Sequence, residues 1–466
     1  MSQRNGSQFI KVDTEALIIG GGMAGLYAAY LLRNSNVPFA VLEADDHAGG
    51  RVFSRPERHS HLGLTLDEGA NLINSTDTVA IRLMNNFNIG YVRRLKPGSD
   101  SMHYLLDGKE FDQAAMDQLL FAESPGAIDQ ILADQQVWQQ NDNRDTDPKF
   151  VDESIASYVD RVGAGPILVR FLRTFFWSEY GRQLEELNLY VLFDYLKIDL
   201  ACPCFKFIPN VDEAYTVPGG TGQIIRRLEE SCRDAIAYGR RVARICESGG
   251  VLSVEHVGND GSINSCSTQH VFFAAPLHSL KNINITVDGI SQRSVDEARS
   301  ATYAQGTKLH LKFMEGFHSR YKFNGILLTD TGEQIWPSSI GQGGAGLLTV
   351  LTGPLPEGRA SAVEYAGRVL KALDRVHPGL SELFVAMERS DAPMSYSGAL
   401  RPGESPHLGI HDGGTHWTTI GEASSPELQG YLEGALRSAD VGVSRFLMKR
   451  HLAKSARSRR QLTPAE

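Results

Sequence analysis

The chain has 466 residues, of which 42% are hydrophobic and 22% are charged, and its formal net charge is -9. This length leaves room for more than one domain around a large core, and the composition excludes the disordered and fibrous classes. The negative charge argues against a nucleic-acid partner, because a phosphate-binding surface requires an excess of Lys and Arg.

No apolar run approaches the roughly 18 residues that a membrane-spanning helix requires. The first twenty residues lack the apolar core of a secretory signal. The five cysteines and the histidines show neither disulfide nor metal-ligand spacing. We therefore expect a cytoplasmic protein with reduced thiols, no metal site and no transmembrane segment.

The first predicted elements are a strand, a turn, a helix and a second strand. EALIIG is a short apolar strand, MAGLYAAYLLRNS has apolar residues at helical spacing, and PFAVLEA supplies the next strand. The turn holds Gly20, Gly22 and Gly25 in a G-x-G-x-x-G pattern, and Glu43 ends the second strand. Such a unit brings backbone N–H groups against a pyrophosphate and a carboxylate against a ribose. The pattern predicts a dinucleotide-binding site.

The next segment, DDHAGGRV, places Arg51 in a glycine-rich loop. A permanent cation there suits a phosphate or a flavin edge, although the guanidinium could instead pair with Asp45 or Asp46. The segment resembles the extension of flavoproteins with two dinucleotide-binding domains, in which a Gly-Gly-Arg turn follows the ribose acid. This resemblance implies FAD over NAD, with Gly50 and Arg51 near the cofactor.

The middle of the chain mixes helical and strand-like segments. SIASYVDRV and ILVRFLRTFFWSEY are predicted helices, ARICESGGVLSVEH is a predicted hairpin, and TGQIIRRLEESCRDA is a helix with Thr221 at its N-cap. The second helix is unusually aromatic. Its Phe176, Trp177 and Tyr180 could line a substrate pocket, or they could pack in the core, which is the commoner arrangement.

Near the C-terminus, HWTTIGEASSPELQGYLEGAL leads an apolar strand into Gly421 and Glu422, and a helix begins near Gly430. A similar segment wraps the cofactor in flavin amine oxidases. Four further stretches match in the family's order: DEGANLIN, YTVPGGTGQIIRRL, VFFAAPLHSL and GTKLHLKF. On these segments the chain resembles the flavin-containing amine oxidase family, which includes monoamine, polyamine and L-amino acid oxidases. The resemblance is weakest from about Tyr91 to Asn210.

The resemblance implies an α/β fold with a Rossmann-like FAD domain of the two-dinucleotide-binding-domain (GR2) type and an α+β substrate domain. The FAD domain would assemble from residues 12–90, 215–295 and 395–455. The substrate domain would comprise 91–214 and 296–394, with a basic, polar tail at 456–466. The implied cofactor-binding residues are Gly20, Gly22, Gly25, Glu43, Gly50, Arg51, Gly69, Ala70, Asn71, Val242, Gly421 and Glu422.

The resemblance also implies the catalytic residues. Lys308, in the strand-like GTKLHLKF, matches the lysine that contacts flavin N5 through a water, although Lys308, His310 and Lys312 could equally share an exposed strand face. Tyr396 and Tyr431 match the two walls of an aromatic cage that orients an amine.

Departures from the family pattern narrow the chemistry. Ser395 stands where monoamine oxidases carry the cysteine that binds flavin, so we expect noncovalent FAD. Leu72 replaces an arginine that clamps the substrate carboxylate in L-amino acid oxidases, although Arg82, Arg173 or another residue could supply a clamp. Asn74 would lie near the pocket in place of an acidic residue found in some polyamine oxidases. This difference weakens the case for a polycationic substrate without excluding it.

These features favour oxidation of an amine to an imine, with transfer of a hydride equivalent from the α-carbon to flavin N5. Oxygen would then reoxidise the flavin and yield hydrogen peroxide. One alternative is an oxidase of amino acids or of an intermediate derived from them. Another is a desaturase or a protoporphyrinogen oxidase. Lys308 and the tyrosine pair count against this alternative, because such enzymes generally lack both. The assembly state stays open, with a homodimer as one arrangement.

Overall fold

The computed structural model describes residues 13–96, 102–195, 212–342, 346–392, 395–406, 409–410, 416–425 and 428–462. Backbone contacts divide the chain into two units. Unit 1 comprises Met1–Arg51, Ile224–Ala301 and His407–Glu466, and unit 2 comprises Val52–Gln223 and Thr302–Pro406. Residues 52–90, 215–223 and 395–406, which we predict in the FAD domain, fall in unit 2 by contacts, and residues 296–301, which we predict in the substrate domain, fall in unit 1. The assignment of functional domains therefore stays a prediction.

The centre of unit 1 is a parallel five-stranded sheet. Its strands are short and buried, as expected for a parallel sheet that is covered on both faces. From edge to edge the strands are Ile236–Ala237, Phe39–Leu42, Ala16–Ile19, Val271–Phe273 and Trp417–Thr419. The predicted strand–turn–helix–strand unit is therefore present at the middle of this sheet.

A second five-stranded sheet in unit 1 contains the predicted hairpin. The order is Asp13–Thr14, Ile263–Thr268, Val251–Gly258, Arg240–Ser248 and Asn284–Thr286. The hairpin turns at Gly249 and Gly250, which both have positive φ, a conformation that glycine adopts without steric cost. The helical segments of this unit are Met23–Asn34, Gln292–Arg299 and Leu432–Leu462, with short 3₁₀ turns at Arg233–Ala235, Leu277–Asn282 and Glu422–Ser424.

Leu432–Leu462 packs against Met23–Asn34 in unit 1. It continues as a helix into residues 456–462 of the segment that the sequence predicts as a polar tail, because Ala, Arg, Gln and Leu, which make up most of these residues, are good helix formers. Helix Gly222–Cys232 begins directly after Thr221 and crosses the boundary between the units. No described helix is long and apolar enough to cross a membrane.

Unit 2 is built on a seven-stranded mixed sheet. The order is Phe384–Ala392, Gly306–Phe313, Gly346–Thr352, Glu333–Pro337, Ile326–Thr329, Met102–Leu106 and Lys109–Asp112. All neighbours are antiparallel except Ile326–Thr329 with Met102–Leu106. Two small sheets join Leu72–Ile73, Tyr215–Thr216 and Val92–Arg93, and Ser54–Arg55 with Leu66–Asp67.

The helices of unit 2 surround an aromatic core that includes Phe150, Tyr158, Phe175 and Phe193. Both helices predicted from residues 154 to 180 are confirmed, as Ile155–Arg161 and Pro166–Tyr180. The other helical segments are Thr78–Asn86, Gln113–Glu123, Pro125–Gln140, Pro148–Val151, Leu189–Tyr195, Phe317–Arg320 and Arg359–Leu373, with 3₁₀ turns at Glu57–His59, Leu184–Glu186 and Ser381–Leu383.

Candidate active site

The glycine turn of unit 1 allows the first helix to approach the first strand closely. Gly20 has φ +106° and lies against the backbone of Ala274 and Ala275. A Cβ at Gly25 would lie 1.9 Å from the carbonyl oxygen of Gly20, so only glycine fits there. At Gly22, by contrast, a Cβ would make only an ordinary van der Waals contact, because the nearest atom, Gly49 O, would lie 3.9 Å away.

Glu43 organises this turn from the end of the second strand. Its buried carboxylate accepts a hydrogen bond from Gly21 N at 2.5 Å and another from Asp45 N at 2.9 Å. The backbone oxygen of Glu43 accepts from Arg240 N, which starts the strand that contains Val242. A register shift between Val242 and Arg244 interrupts that strand's pairing. Three predicted cofactor segments of unit 1 are thereby joined.

Arg51 pairs with Glu422, which is distant in the sequence, whereas the local alternatives were Asp45 and Asp46. Arg51 Nη1 donates to Glu422 Oε1 at 2.6 Å, and Gly430 N donates to Glu422 Oε2 at 3.0 Å. Tyr431 follows directly and is half-buried at the start of helix Leu432–Leu462. Gly421, with φ +138°, adopts a conformation that favours glycine. The ion pair therefore joins the predicted N-terminal cofactor segment, which contains Arg51, to the predicted C-terminal cofactor segment, which contains Glu422, within unit 1.

These residues of unit 1 fit an FAD pyrophosphate and ribose. Helix Met23–Asn34 has Gly22 at its N-cap, with no side-chain hydrogen bond to the cap, and its first turn, Met23 to Leu26, carries no charge in the sequence. Gly50 has φ +55°, and its hypothetical Cβ would lie 3.6 Å from Gly22 Cα. A helix N-terminus framed by glycines attracts anions, and Glu43 is the nearby carboxylate that could bind a ribose.

Lys308 occupies a buried polar position in unit 2. Its strand, Gly306–Phe313, pairs on both sides, and its Nζ donates to Gly69 O at 2.5 Å and to Asp67 O at 3.4 Å. Nζ also lies 5.8 Å from the centroid of the Trp336 ring. Burial lowers the pKa of Lys308 to about 8, against the opposing attraction of Asp67, Glu213 and Glu68. The amino group can therefore change its charge near neutral pH.

The face that Lys308 shares with His310 and Lys312 is not a solvent-exposed face. Lys308 and Lys312 are partly exposed over their length, and His310 is buried. Burial, together with Lys308 and Arg55, lowers the pKa of His310 to about 3. Leu309 and Leu311, on the other face, are buried as well. One face of this strand is therefore buried, and the face with the two lysines is half-buried.

Asp67 is a functional candidate that the sequence reasoning did not single out. Its carboxylate is buried and accepts hydrogen bonds from Ser54 Oγ, Asn71 Nδ2 and the backbone and hydroxyl of Thr221. Burial raises its pKa in spite of these bonds and of the attraction of Lys308. Asp67 is the first residue of the DEGANLIN motif, and its place in that motif is the sequence feature that could have identified it as a candidate.

The turn after Asp67 is held from both sides. Thr221 Oγ1 donates to Ala70 O at 2.6 Å, so this hydroxyl binds the turn at the start of helix Gly222–Cys232. Asn71 Oδ1 accepts from Trp336 Nε1 at 2.9 Å. Trp336 is a second residue that the sequence reasoning missed, and no spacing pattern in its strand marks it. The predicted cofactor residues Gly69, Ala70 and Asn71 thus lie together with Lys308.

Tyr396 lies within an aromatic group of unit 2 that also contains Phe176, Tyr180 and Tyr195. The ring centroids of Tyr180 and Tyr396 are 5.5 Å apart, and those of Phe176 and Tyr180 are 6.1 Å apart. The Tyr396 hydroxyl donates to Glu179 Oε2 at 2.7 Å. These contacts fix the ring of Tyr396.

Trp177 and Asn74 have clear packing or hydrogen-bonding partners in unit 2. The indole of Trp177 lies against Gly353 and Gly332, where an added Cβ would come within 2.3 Å and 2.8 Å of its ring. Asn74 is buried, is hydrogen-bonded to Asp77, and accepts a bond from Glu213 N at 2.9 Å. Pocket roles for both residues, as for Phe176 and Tyr180, stay predictions.

The comparisons with known proteins identify the family. Residues 23–440 match the family described as flavin containing amine oxidoreductase. The flavin-dependent L-tryptophan oxidase RebO of Lentzea aerocolonigenes is 24% identical over 422 residues, which cover 80% of this chain and 82% of that protein.

Two solved structures establish the fold. Cyclohexylamine oxidase from Brevibacterium oxydans is 17% identical, with a TM-score of 0.78 over 94% of this chain and 100% of that chain. Putrescine oxidase bound to putrescine is also 17% identical, with a TM-score of 0.69 over 94% of this chain and 99% of that one. The predicted α/β, Rossmann-like FAD fold is confirmed. The chain belongs to the flavin-containing amine oxidoreductase family and is an FAD-dependent oxidoreductase acting on amines.

Proposed function

We propose that this enzyme oxidises a primary or secondary amine without an α-carboxylate to the imine, with molecular oxygen as acceptor and hydrogen peroxide as the second product. When bound, FAD supplies the acceptor for the two electrons that leave the amine. The protein's residues must hold a neutral amine in a reactive orientation and keep water away from it.

The observation that carries this proposal is the environment of Lys308. A lysine whose Nζ is held by the carbonyl of Gly69 and is removed from solvent is costly without a function. Its pKa of about 8 leaves a cation available below that pH. A buried cation at this position would stabilise negative charge that develops as oxygen is reduced.

Tyr396 and Tyr431 are assigned to the aromatic cage. The ring of Tyr396 is held by Tyr180 and by the hydrogen bond to Glu179, so its face is preorganised. Flat aromatic faces orient an amine and exclude water. Tyr431, in unit 1, matches in sequence the family position of the other cage wall.

The second candidate is an amino acid oxidase, and the similarity to an L-tryptophan oxidase favours it. The positions of Arg82 and Arg173, the two arginines that could bind a substrate carboxylate, do not support an amino acid substrate. Arg82 is exposed, and Arg173 forms a bidentate pair with Glu185 on the surface. An amine without a carboxylate therefore has the better support. The protoporphyrinogen oxidase and desaturase alternatives are disfavoured by Lys308 and the two tyrosines.

Three further assignments rest on the sequence. Ser395 in place of a flavin-binding cysteine supports noncovalent FAD. A cytoplasmic location stays a prediction from the sequence, and a homodimer is one arrangement to be tested. We would measure assembly by analytical ultracentrifugation of the FAD-loaded protein.

The test is anaerobic mixing of the purified flavoprotein with monoamines, polyamines and L-amino acids, while the flavin absorbance near about 450 nm is followed. We expect amines to bleach the flavin. Admission of oxygen should then restore the absorbance and produce peroxide. Reduction mainly by L-amino acids would support the second candidate, and a flavin that no amine or amino acid reduces would contradict both.

A further inference from the structure

Tyr396 and Glu179 meet at two contacts of equal length. The hydroxyl oxygen of Tyr396 lies 2.7 Å from Oε2 of the Glu179 carboxyl group and 2.7 Å from the backbone oxygen of Glu179. Both distances are those of a full O–H···O hydrogen bond. A phenol carries one proton and a backbone oxygen carries none. Two full hydrogen bonds at this phenol therefore require a second proton, which the Glu179 carboxyl group can supply.

The other oxygen of the Glu179 carboxyl group has a fixed donor. Gln334 Nε2 donates to Glu179 Oε1 at 2.5 Å and to Ser178 Oγ at 3.1 Å. Gln334 and Ser178 are buried, and Ser178 Oγ donates in turn to Phe175 O at 2.8 Å. An amide nitrogen donates and does not accept. Oε1 is therefore the accepting oxygen, and Oε2 is the position for a proton.

The charges around Glu179 favour the protonated form of its carboxyl group. Its two side-chain partners, Gln334 and Tyr396, are uncharged, and no Lys, Arg or His of the described residues pairs with it. Glu213, the carboxyl group with which it interacts electrostatically, has the same sign of charge. Burial raises the pKa of Glu179, and the two hydrogen bonds only partly oppose this effect. A carboxylate without a compensating cation is costly where burial restricts its hydration.

We propose that Glu179 is a positioning residue that stays protonated in the working enzyme and donates from Oε2 to Tyr396 Oη, while the phenol donates to the backbone oxygen of Glu179. The phenol is then held by one hydrogen bond that it receives and one that it gives, and its ring is held from the side by Tyr180. Because the acid is neutral, it fixes the ring without adding a charge beside it. The positioning role rests on the proposed function, whereas the protonation state does not.

Infrared spectroscopy of the FAD-loaded enzyme tests the proton directly. At neutral pH we expect the carbonyl stretch of a protonated carboxylic acid, shifted in heavy water, and Glu179→Gln should remove this band. Glu185→Gln is the matched control, because Glu185 is an exposed carboxylate of the same unit whose pKa is lowered by its pairing with Arg173. It should leave the band in place. A native spectrum that Glu179→Gln leaves unchanged in this region means that Glu179 is ionised and overturns the inference.

The rate of anaerobic flavin reduction by a saturating monoamine tests the positioning. Glu179→Leu removes the donor and should slow this step by about tenfold, with a smaller change in amine affinity. Glu179→Gln places an N–H donor at the same position and should recover most of that loss. Tyr396→Phe should also slow the step, and the double variant Glu179→Leu with Tyr396→Phe should be no slower than the slower single variant, because both changes remove the same contact.

The outcomes separate the inference from the proposed function. Additive losses in the double variant, or a Glu179→Gln enzyme as slow as Glu179→Leu, overturn the positioning role. FAD content and thermal melting show whether each variant is folded, and the infrared and Glu179→Gln results decide the matter if Glu179→Leu does not fold. If no amine reduces the native flavin, the proposed function fails, while the infrared band still decides the protonation state of Glu179.

Discussion

At the scale of single residues, the carbonyl of Gly69 and the ring of Trp336 determine the state of Lys308. The carbonyl supplies a hydrogen bond, and the ring supplies a weakly polar wall. Because the nearby carboxylates only partly offset burial, the pKa of the amino group falls from its ordinary value to about 8. The residue is therefore cationic below about pH 8 and neutral above it.

Replacement of this amino group tests the assigned role. Lys308→Met should slow the reaction of the reduced enzyme with oxygen by about 10²-fold, because it removes a preorganised cation. In the native enzyme that rate should fall as the pH rises through about 8, and the variant should lose this dependence. Stopped-flow reoxidation of photoreduced enzyme, measured between pH 6 and 10, reports both effects.

Lys312→Met is the control for that experiment. Lys312 is on the same face of the same strand and donates to Leu62 O. Its replacement should leave reoxidation within the native range. Equal rates and equal pH profiles for the native enzyme and Lys308→Met would show that Lys308 has no part in the oxygen reaction.

At the scale of elements, the close contact of the first helix with the first strand depends on Gly25. Gly25→Ala would place a methyl group 1.9 Å from Gly20 O, so the helix N-terminus has to move. Overpacking of this kind costs about 1–3 kcal/mol. We expect the dissociation constant for FAD to rise roughly tenfold or more. Fluorescence titration of the apoprotein measures this constant, and the flavin retained after gel filtration gives an independent check.

Gly126→Ala provides the comparison within a helix. Gly126 lies in Pro125–Gln140 with open space where a Cβ would be. Its substitution should preserve FAD affinity and raise stability by up to about 1 kcal/mol, because Ala favours the helix. Unchanged FAD binding by Gly25→Ala would show that this contact does not shape the cofactor site.

At the scale of the whole molecule, the attachment of the cofactor can be tested directly. Ser395 provides no thiol, and the cysteines that the structure describes, Cys232, Cys246 and Cys266, all belong to unit 1 and are free. Cys202 and Cys204 lie outside the described residues. We expect acid precipitation to release the flavin into the supernatant as FAD, and flavin that stays with the protein pellet would contradict noncovalent binding.

Local sequence was sufficient to predict the elements whose signals are short-range. The strand–turn–helix–strand unit, the Ser-Gly-Gly hairpin and the two helices from residues 154 to 180 follow from periodicity and turn residues, and the structure contains them. The family and FAD were accessible because motifs such as DDHAGGRV are contiguous. These features depend on neighbouring residues, which the sequence displays directly.

The tertiary structure alone decided the partners of the polar groups. Arg51 pairs with Glu422, which is 371 positions away, where the local alternatives were Asp45 and Asp46. Lys308 reaches the Gly69 carbonyl across 239 positions, and Trp336 donates to Asn71 across 265 positions. Burial and charge at these positions depend on distant segments that the fold brings together, so no local pattern could reveal them.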